Sequence, residues 1–239
     1  MARRPPPGKC VHCLRDPLPR TWDHVFPESW YPDTTPSDIA KWKIPACHQC
    51  NKEYGELEQD LMIRIGLCID PEAVESEGIV PKVLRSLNPN LAKNERDRKA
   101  RQAKVAQIMR ETIAGAAIPK SATYPRFEEK WGRPPDEQVA VPIPKKSVDR
   151  LFEKIIRGFA FIDGGRFIEE SHSIALFPLH AANAAPFRQL LDKFGQAHAR
   201  GPGIVVRKAV APEDGLSAVY EIIIWGLFQT YGVVSASET

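Results

Sequence analysis

Apolar and polar positions change period several times along the chain, and the changes predict its elements. From Asn51 to about Cys68, Leu57, Leu61, Ile65 and Cys68 fall on one stripe, which predicts a helix with Glu53, Glu56, Glu58 and Asp60 facing solvent. Asp70-Pro71 ends it. A short helix is predicted over Pro81 to Leu87. Asn88-Pro89-Asn90 then breaks the chain, and Asn90 is placed to cap a helix running to about Ala114. That helix carries Lys93, Arg96, Arg98, Lys99, Arg101, Lys104 and Arg110, and its apolar residues crowd the C-terminal half, so its first half is expected to be solvated or bound to a partner. Val148, Leu151, Phe152, Ile155, Ile156 and Phe159 repeat with helical period and predict a strongly amphipathic helix. Strands around an Asp163-Gly164-Gly165 turn are expected over Phe161 to Glu170, and a helix at Phe187, Leu190, Leu191 and Phe194 with Pro186 at its start. Gly203 to Val210, Ala218 to Trp225 and Leu227 to Val234 read as three strands, the first two joined by the connection at 211–215.

The first 60 residues lack such periods. They are rich in Pro and Cys and hold three of the five tryptophans (Trp22, Trp30, Trp42), so a metal and a few aromatics are expected to hold them in place of a conventional core. Residues 119–144 contain six prolines and read as a linker, with a short helix at Phe127 to Trp131. The domain organisation read from these shifts is a zinc module at 1–62, a helical basic segment at 63–115, a Pro-rich linker at 116–147 and an α+β domain with a small antiparallel sheet at 148–239.

The net charge of +3 over 239 residues says little by itself, but its distribution is uneven. Residues 61–147 carry 16 basic and 11 acidic side chains, while the segments on either side are balanced, which places any nucleic-acid-facing charge in the middle. The start, Met-Ala-Arg-Arg-Pro-Pro-Pro-Gly, has no apolar run after it and does not read as a secretory signal. The longest apolar stretch, near Tyr220 to Phe228, is too short to span a bilayer. A soluble, cytoplasmic chain with no membrane partner is the expectation.

Four of the five cysteines form two Cys-x-x-Cys pairs, Cys10/Cys13 and Cys47/Cys50. Paired thiols at this spacing point to metal in a reducing compartment rather than to a disulfide framework. Four thiolates fill a tetrahedral zinc sphere, so the site is expected to be structural. His12 and His48 lie inside the knuckles, where either could replace a cysteine, and Cys68 is expected simply to be buried in its helix. Between the knuckles lies Trp-Asp-His-Val-Phe-Pro (22–27), and Asn51 directly follows Cys50.

The ordered set Cys-Val-His-Cys, Asp-His-Val-Phe-Pro, Ala-Cys-His-Gln-Cys-Asn resembles the HNH endonuclease family, in its form with a zinc-binding cysteine quartet. The resemblance covers about residues 8–62. It implies a ββα-metal fold with His24 as general base, and Asp23 and Asn51 holding a catalytic divalent cation, Mg²⁺ or Mn²⁺. A histidine near neutral pKa can take a proton from water, and a hard cation on oxygen ligands can polarise a phosphodiester. Trp42 stands where many members carry the middle Asn that orients the base, so that support is missing or is supplied elsewhere; Asn51, Lys52, Glu53 and Glu56 are the candidates close in sequence. Asn51 is equally well placed as a helix cap. The implied function is metal-dependent hydrolysis of DNA. The alternatives are a catalytically silent zinc module that binds nucleic acid, and a zinc module that binds protein. The basic helix at 91–110 and the N-terminal Arg3, Arg4 and Lys9 are candidate phosphate contacts, or merely solvated. His172, His180 and His198 show no ligand spacing.

Overall fold

The computed structural model describes residues 4–118, 124, 137–179 and 183–237. The expected helix at Phe127 to Trp131, together with Arg3 and His180, lies outside them. The chain folds as a mixture of helices and antiparallel sheets.

Strands β1 (Arg20–His24) and β2 (Lys43–Cys47) pair antiparallel, Arg20 opposite Cys47 and His24 opposite Lys43. Helix α1 (His48–Gly66) follows β2 without a break. Its N-cap is Cys47, whose Sγ accepts from the Cys50 backbone N–H, so the cap is a zinc-knuckle cysteine and not Asn51. Leu61 and Ile65 bury the expected stripe. Glu58, expected in solvent, is instead buried, because a lysine from a distant helix meets it there.

Helix α2 (Ile79–Leu87) agrees with the prediction to within two residues. The basic helix begins later than its sequence suggests. Asn88, not Asn90, caps a single 3-10 turn at Pro89–Leu91, and α3 (Glu95–Glu111) starts on Asn94, whose side chain accepts from the Asp97 N–H. Pro89 fixes the tight turn and delays the helix. α3 ends in a short strand β3 (Ile113–Ala114) paired with β4 (Val139–Ala140).

Helix α4 (Lys145–Gly164) is the centre of the molecule. The strands expected at Phe161 to Glu170 are absent: the helix runs on to Gly164, and Gly165 at φ 64° closes it as a left-handed cap. The Asp-Gly-Gly run is a helix stop rather than a hairpin turn. Strands β5 (His172–Phe177), β6 (Gln196–Ala199), β7 (Ile204–Val210), β8 (Ala218–Ile224) and β9 (Phe228–Ala236) form one antiparallel sheet in the order β5-β9-β8-β7-β6. Helix α5 (Ala185–Phe194) carries Pro186 in its first turn, as expected. Tyr231 and Gly232 are neighbours in β9 and so face opposite sides of the sheet. Tyr231 meets Phe187 of α5, while Gly232 lies against Ile156 of α4. The sheet is therefore covered by one helix on each face.

The hairpin does not rely on metal and aromatics alone. Val25, Phe26, Trp30, Trp42 and Ile44 are buried in the same apolar core as α4 and the sheet residues Tyr220, Ile222 and Phe228. Trp30 and Trp225 stack at 5.0 Å, and the Trp225 indole N–H donates to the Trp30 carbonyl at 2.7 Å. Gly158 lets α4 approach the hairpin: a Cβ there would sit 2.9 Å from a Val25 methyl and 3.1 Å from Ile44 Cδ1. Gly158→Leu is expected to cost about 1–3 kcal/mol through overpacking. Gly55 is exposed in α1, and a Cβ added there would meet nothing within 4 Å. It is expected to go the other way, Gly55→Ala adding about 0.4–1 kcal/mol. Urea unfolding of the two variants beside wild type checks the opposite signs.

Candidate metal centre and the buried Asp23 cluster

The first knuckle sits on a loop between the chain start and β1; the second straddles the end of β2 and the first turn of α1. Folding the hairpin brings them together. The four Sγ atoms of Cys10, Cys13, Cys47 and Cys50 all lie within 4.8 Å of one another, with Cys13 and Cys47 at 3.9 Å. Tetrahedral thiolates about 2.3 Å from zinc stand about 3.8 Å apart, so the quartet can hold such an ion. Backbone amides already point at the sulfurs: Cys47 N–H donates to Cys10 Sγ at 3.3 Å and Cys50 N–H to Cys47 Sγ at 3.4 Å. Arg15 ties the knuckles together, donating from Nε to Cys13 Sγ at 3.3 Å and from its other end to Gln49 Oε1 at 3.1 Å. His48 is exposed and His12 turns away, so the set that could hold an ion is the four cysteines.

His12 instead reaches β1. Its Nε2–H donates to Asp23 Oδ2 at 2.9 Å, while its ring lies 4.7 Å from that of Tyr54. Burial lowers the His12 pKa below the ordinary histidine value, against the pull of Asp23. The other carboxylate oxygen, Asp23 Oδ1, accepts from Lys154 Nζ of α4 at 3.1 Å. The same ammonium donates to the His24 carbonyl at 2.6 Å and to Glu58 Oε1 of α1. Lys154 has no exposed surface; Asp23 is 4 % exposed and Glu58 7 %. Burial works against charge on Asp23, but the His12 bond and the Lys154 charge more than offset it and hold its pKa below the usual carboxylate value. Glu58 fares differently: burial pushes its carboxyl up to about 7, only partly countered by Lys154.

Alternation along β1 sends Asp23 and His24 to opposite sides of the hairpin. His24 is half-buried and shares its side with Trp22, which is 41 % exposed, and with the exposed Lys43 across the register. Its Nε2 is buried without a hydrogen-bond partner. Burial, and then the Lys43 charge, lower its pKa, so the imidazole is neutral at neutral pH. Asn51 lies in the first turn of α1 and donates through Nδ2 to Thr21 Oγ1 at 2.9 Å and to the Trp22 carbonyl at 3.3 Å. Asn51 is thus tied to β1 through Thr21 and Trp22, while Asp23 and His24 leave that strand on opposite sides. The three do not, as arranged, cradle a divalent cation: both Asp23 oxygens are engaged, one of them by an ammonium. Lys52, Glu53 and Glu56 are exposed, and Glu53 bonds Gln49 and Arg150. Trp42 is core, edge-on to Phe159 at 5.1 Å with the Arg200 guanidinium 4.5 Å over its ring.

His12, Tyr54, Glu58 and Lys154 were not legible as parts of this cluster. One signal existed: Lys154 stands three residues after Leu151 and four before Gly158, on the edge of an apolar stripe where an unpaired lysine is costly. Among the described residues no helix is long and apolar enough to cross a membrane. No protein-family model matches the chain, and neither a curated protein nor a solved structure matches it.

Proposed function

We propose that this protein acts on nucleic acid as an endonuclease of the HNH type, with His24 as general base in hydrolysis of a DNA phosphodiester. The observation that carries the reading is the corner where β1 meets α1 on the cysteine quartet, with a neutral, half-open imidazole at the strand end. His24 takes a proton from water, the water oxygen bonds to phosphorus, and the bond to the 3′ oxygen breaks, that oxygen taking up a proton from solvent to leave as a hydroxyl. Trp22 and Lys43 beside it offer an aromatic face and an ammonium for a nucleotide chain. A divalent cation would supply charge stabilisation at the phosphate, and the family resemblance assigns it to Asp23 and Asn51.

A second reading is a module that binds nucleic acid without cutting it. It is favoured by one observation, the engagement of both Asp23 oxygens by His12 and Lys154. Plasmid nicking with Mg²⁺ or Mn²⁺ decides between them, with wild type and His24→Ala both folded and zinc-loaded. Cleavage by wild type alone is the expected result. If neither protein cuts but both retard DNA at low salt, the binding module is correct; no retardation either leaves the protein-binding zinc module.

A further inference from the structure

We propose that Lys154 is the resident cation of the ββα corner: its ammonium fills the place a divalent ion would take between Asp23, Glu58 and the His24 carbonyl, and keeps such an ion out. The inference rests on the nuclease-like shape of the hairpin and helix, and it departs from the assignment of a catalytic cation to Asp23, which it excludes in the wild type. Three oxygens converge on one atom, Asp23 Oδ1 and the His24 carbonyl from β1 and Glu58 Oε1 from α1. Two carboxylates and a carbonyl are the donor set that hard divalent ions select. The Tyr54 ring, 5.5 Å from Nζ, closes a further side. The lysine arrives from α4, 131 residues beyond Asp23, and its helix is locked in place by Leu151, Phe152 and Ile155, none of which has any exposed surface. Ammonium-to-oxygen distances of 2.6 and 3.1 Å exceed the roughly 2.1 Å of a magnesium–oxygen bond. A small inward movement of the same oxygens would therefore close the ring on a smaller ion once the lysine is gone.

This assigns roles to two residues outside the family pattern. Glu58 is the third oxygen donor of the corner, and Lys154 positions Asp23 in the way a bound metal would. It also accounts for the retention of charge on a carboxylate as deeply buried as Asp23.

The test is Mn²⁺ binding, read by the loss of free-ion paramagnetic resonance signal, on the zinc-loaded full chain. Wild type, Lys154→Met and Lys154→Met/Asp23→Asn are compared. Lys154→Met is expected to bind one Mn²⁺ at least about ten-fold more tightly than wild type, and the added Asp23→Asn to remove the gain. Mn²⁺ is expected to raise the unfolding midpoint of Lys154→Met and leave that of wild type unchanged. Should Lys154→Met fail to fold, Lys154→Gln, which keeps both carboxylate donors and a neutral polar end in the pocket, carries the same comparison with the same expected gain. Folded variants without a gain overturn the proposal, as does wild type that already binds Mn²⁺ through Asp23. The nicking assay fails separately: an inactive wild type beside an Mn²⁺-binding Lys154→Met sinks the nuclease reading alone. An active wild type whose Mn²⁺ binding needs Asp23 sinks this proposal alone.

Discussion

Cys47→Ser is expected to lower the thermal midpoint by roughly 10 °C or more and to abolish stoichiometric zinc. Cys47 belongs to β2, caps α1 and contributes one of the four sulfurs, so its loss acts on strand, helix and metal together. Structural zinc supplies about 10–16 kcal/mol of apparent binding energy in isolated fingers, where it is the sole organiser. Here part of the hairpin would survive without it, because Val25, Phe26 and Ile44 are anchored in the main core. A net loss of several kcal/mol remains, and each kcal/mol moves the midpoint of a chain this size by about 2–4 °C. The damage should be local: residues 8–20 and the first turn of α1 should exchange amide protons freely while the five-stranded sheet stays protected. One zinc per wild-type chain by elemental analysis, and none in the variant, completes the measurement. A wild type purified without zinc and matching the variant's midpoint would refute it.

The cysteine quartet was legible because two short spacings carry it, and a knuckle holds its shape almost regardless of what surrounds it. The long helix α4 and strands β7, β8 and β9 were legible for a related reason: each buries most of one face, so period and burial agree. The edge strands β5 and β6 were not. Along β5 inward and outward residues alternate without any becoming fully buried, and Gln196–Ala199 is mostly exposed, so neither carries an apolar signal. The limits of α3 were set by Pro89 and by which asparagine found a free amide, a competition among Asn88, Asn90 and Asn94 that spacing alone does not decide. At the candidate site, sequence order made Asp23 and His24 neighbours and put Asn51 directly after the second knuckle, from which it reaches Thr21 and Trp22 of β1. It could not place Lys154, since a contact across 131 residues is made by the packing of α4 on the hairpin and by no local pattern.

That packing makes Lys154→Met the most damaging single change expected outside the cysteines. Removing the ammonium leaves Asp23 and Glu58 facing each other in a buried pocket with only His12 to answer them. Breaking a buried ion pair from one side costs about 3–5 kcal/mol, chiefly because the partner charge stays behind. The cost should depend on pH with a definite sign. A carboxyl whose folded pKa lies above its unfolded value holds its proton longer in the folded chain, so its contribution is complete at low pH and is lost as pH rises. Within the wild-type cluster only Glu58 behaves this way, raised from 4.5 to about 7, and it erodes stability as pH climbs through that window. Asp23, held low by its partners, has the opposite sense and loses its contribution only in stronger acid. Without Lys154 both carboxyls are raised, so the gap between variant and wild type should be widest near pH 7.5 and should narrow towards about pH 5, where protonation removes the stranded charge. Urea unfolding of both proteins at the two pH values measures it. A gap that stays constant, or widens in acid, would mean that Lys154 serves the core through its methylenes rather than the carboxylates through its charge. Glu58→Gln makes the complementary case: it leaves Asp23 and Lys154 as a balanced pair, and it should flatten the wild-type slope between pH 4.5 and about 7 while costing far less than the loss of the lysine.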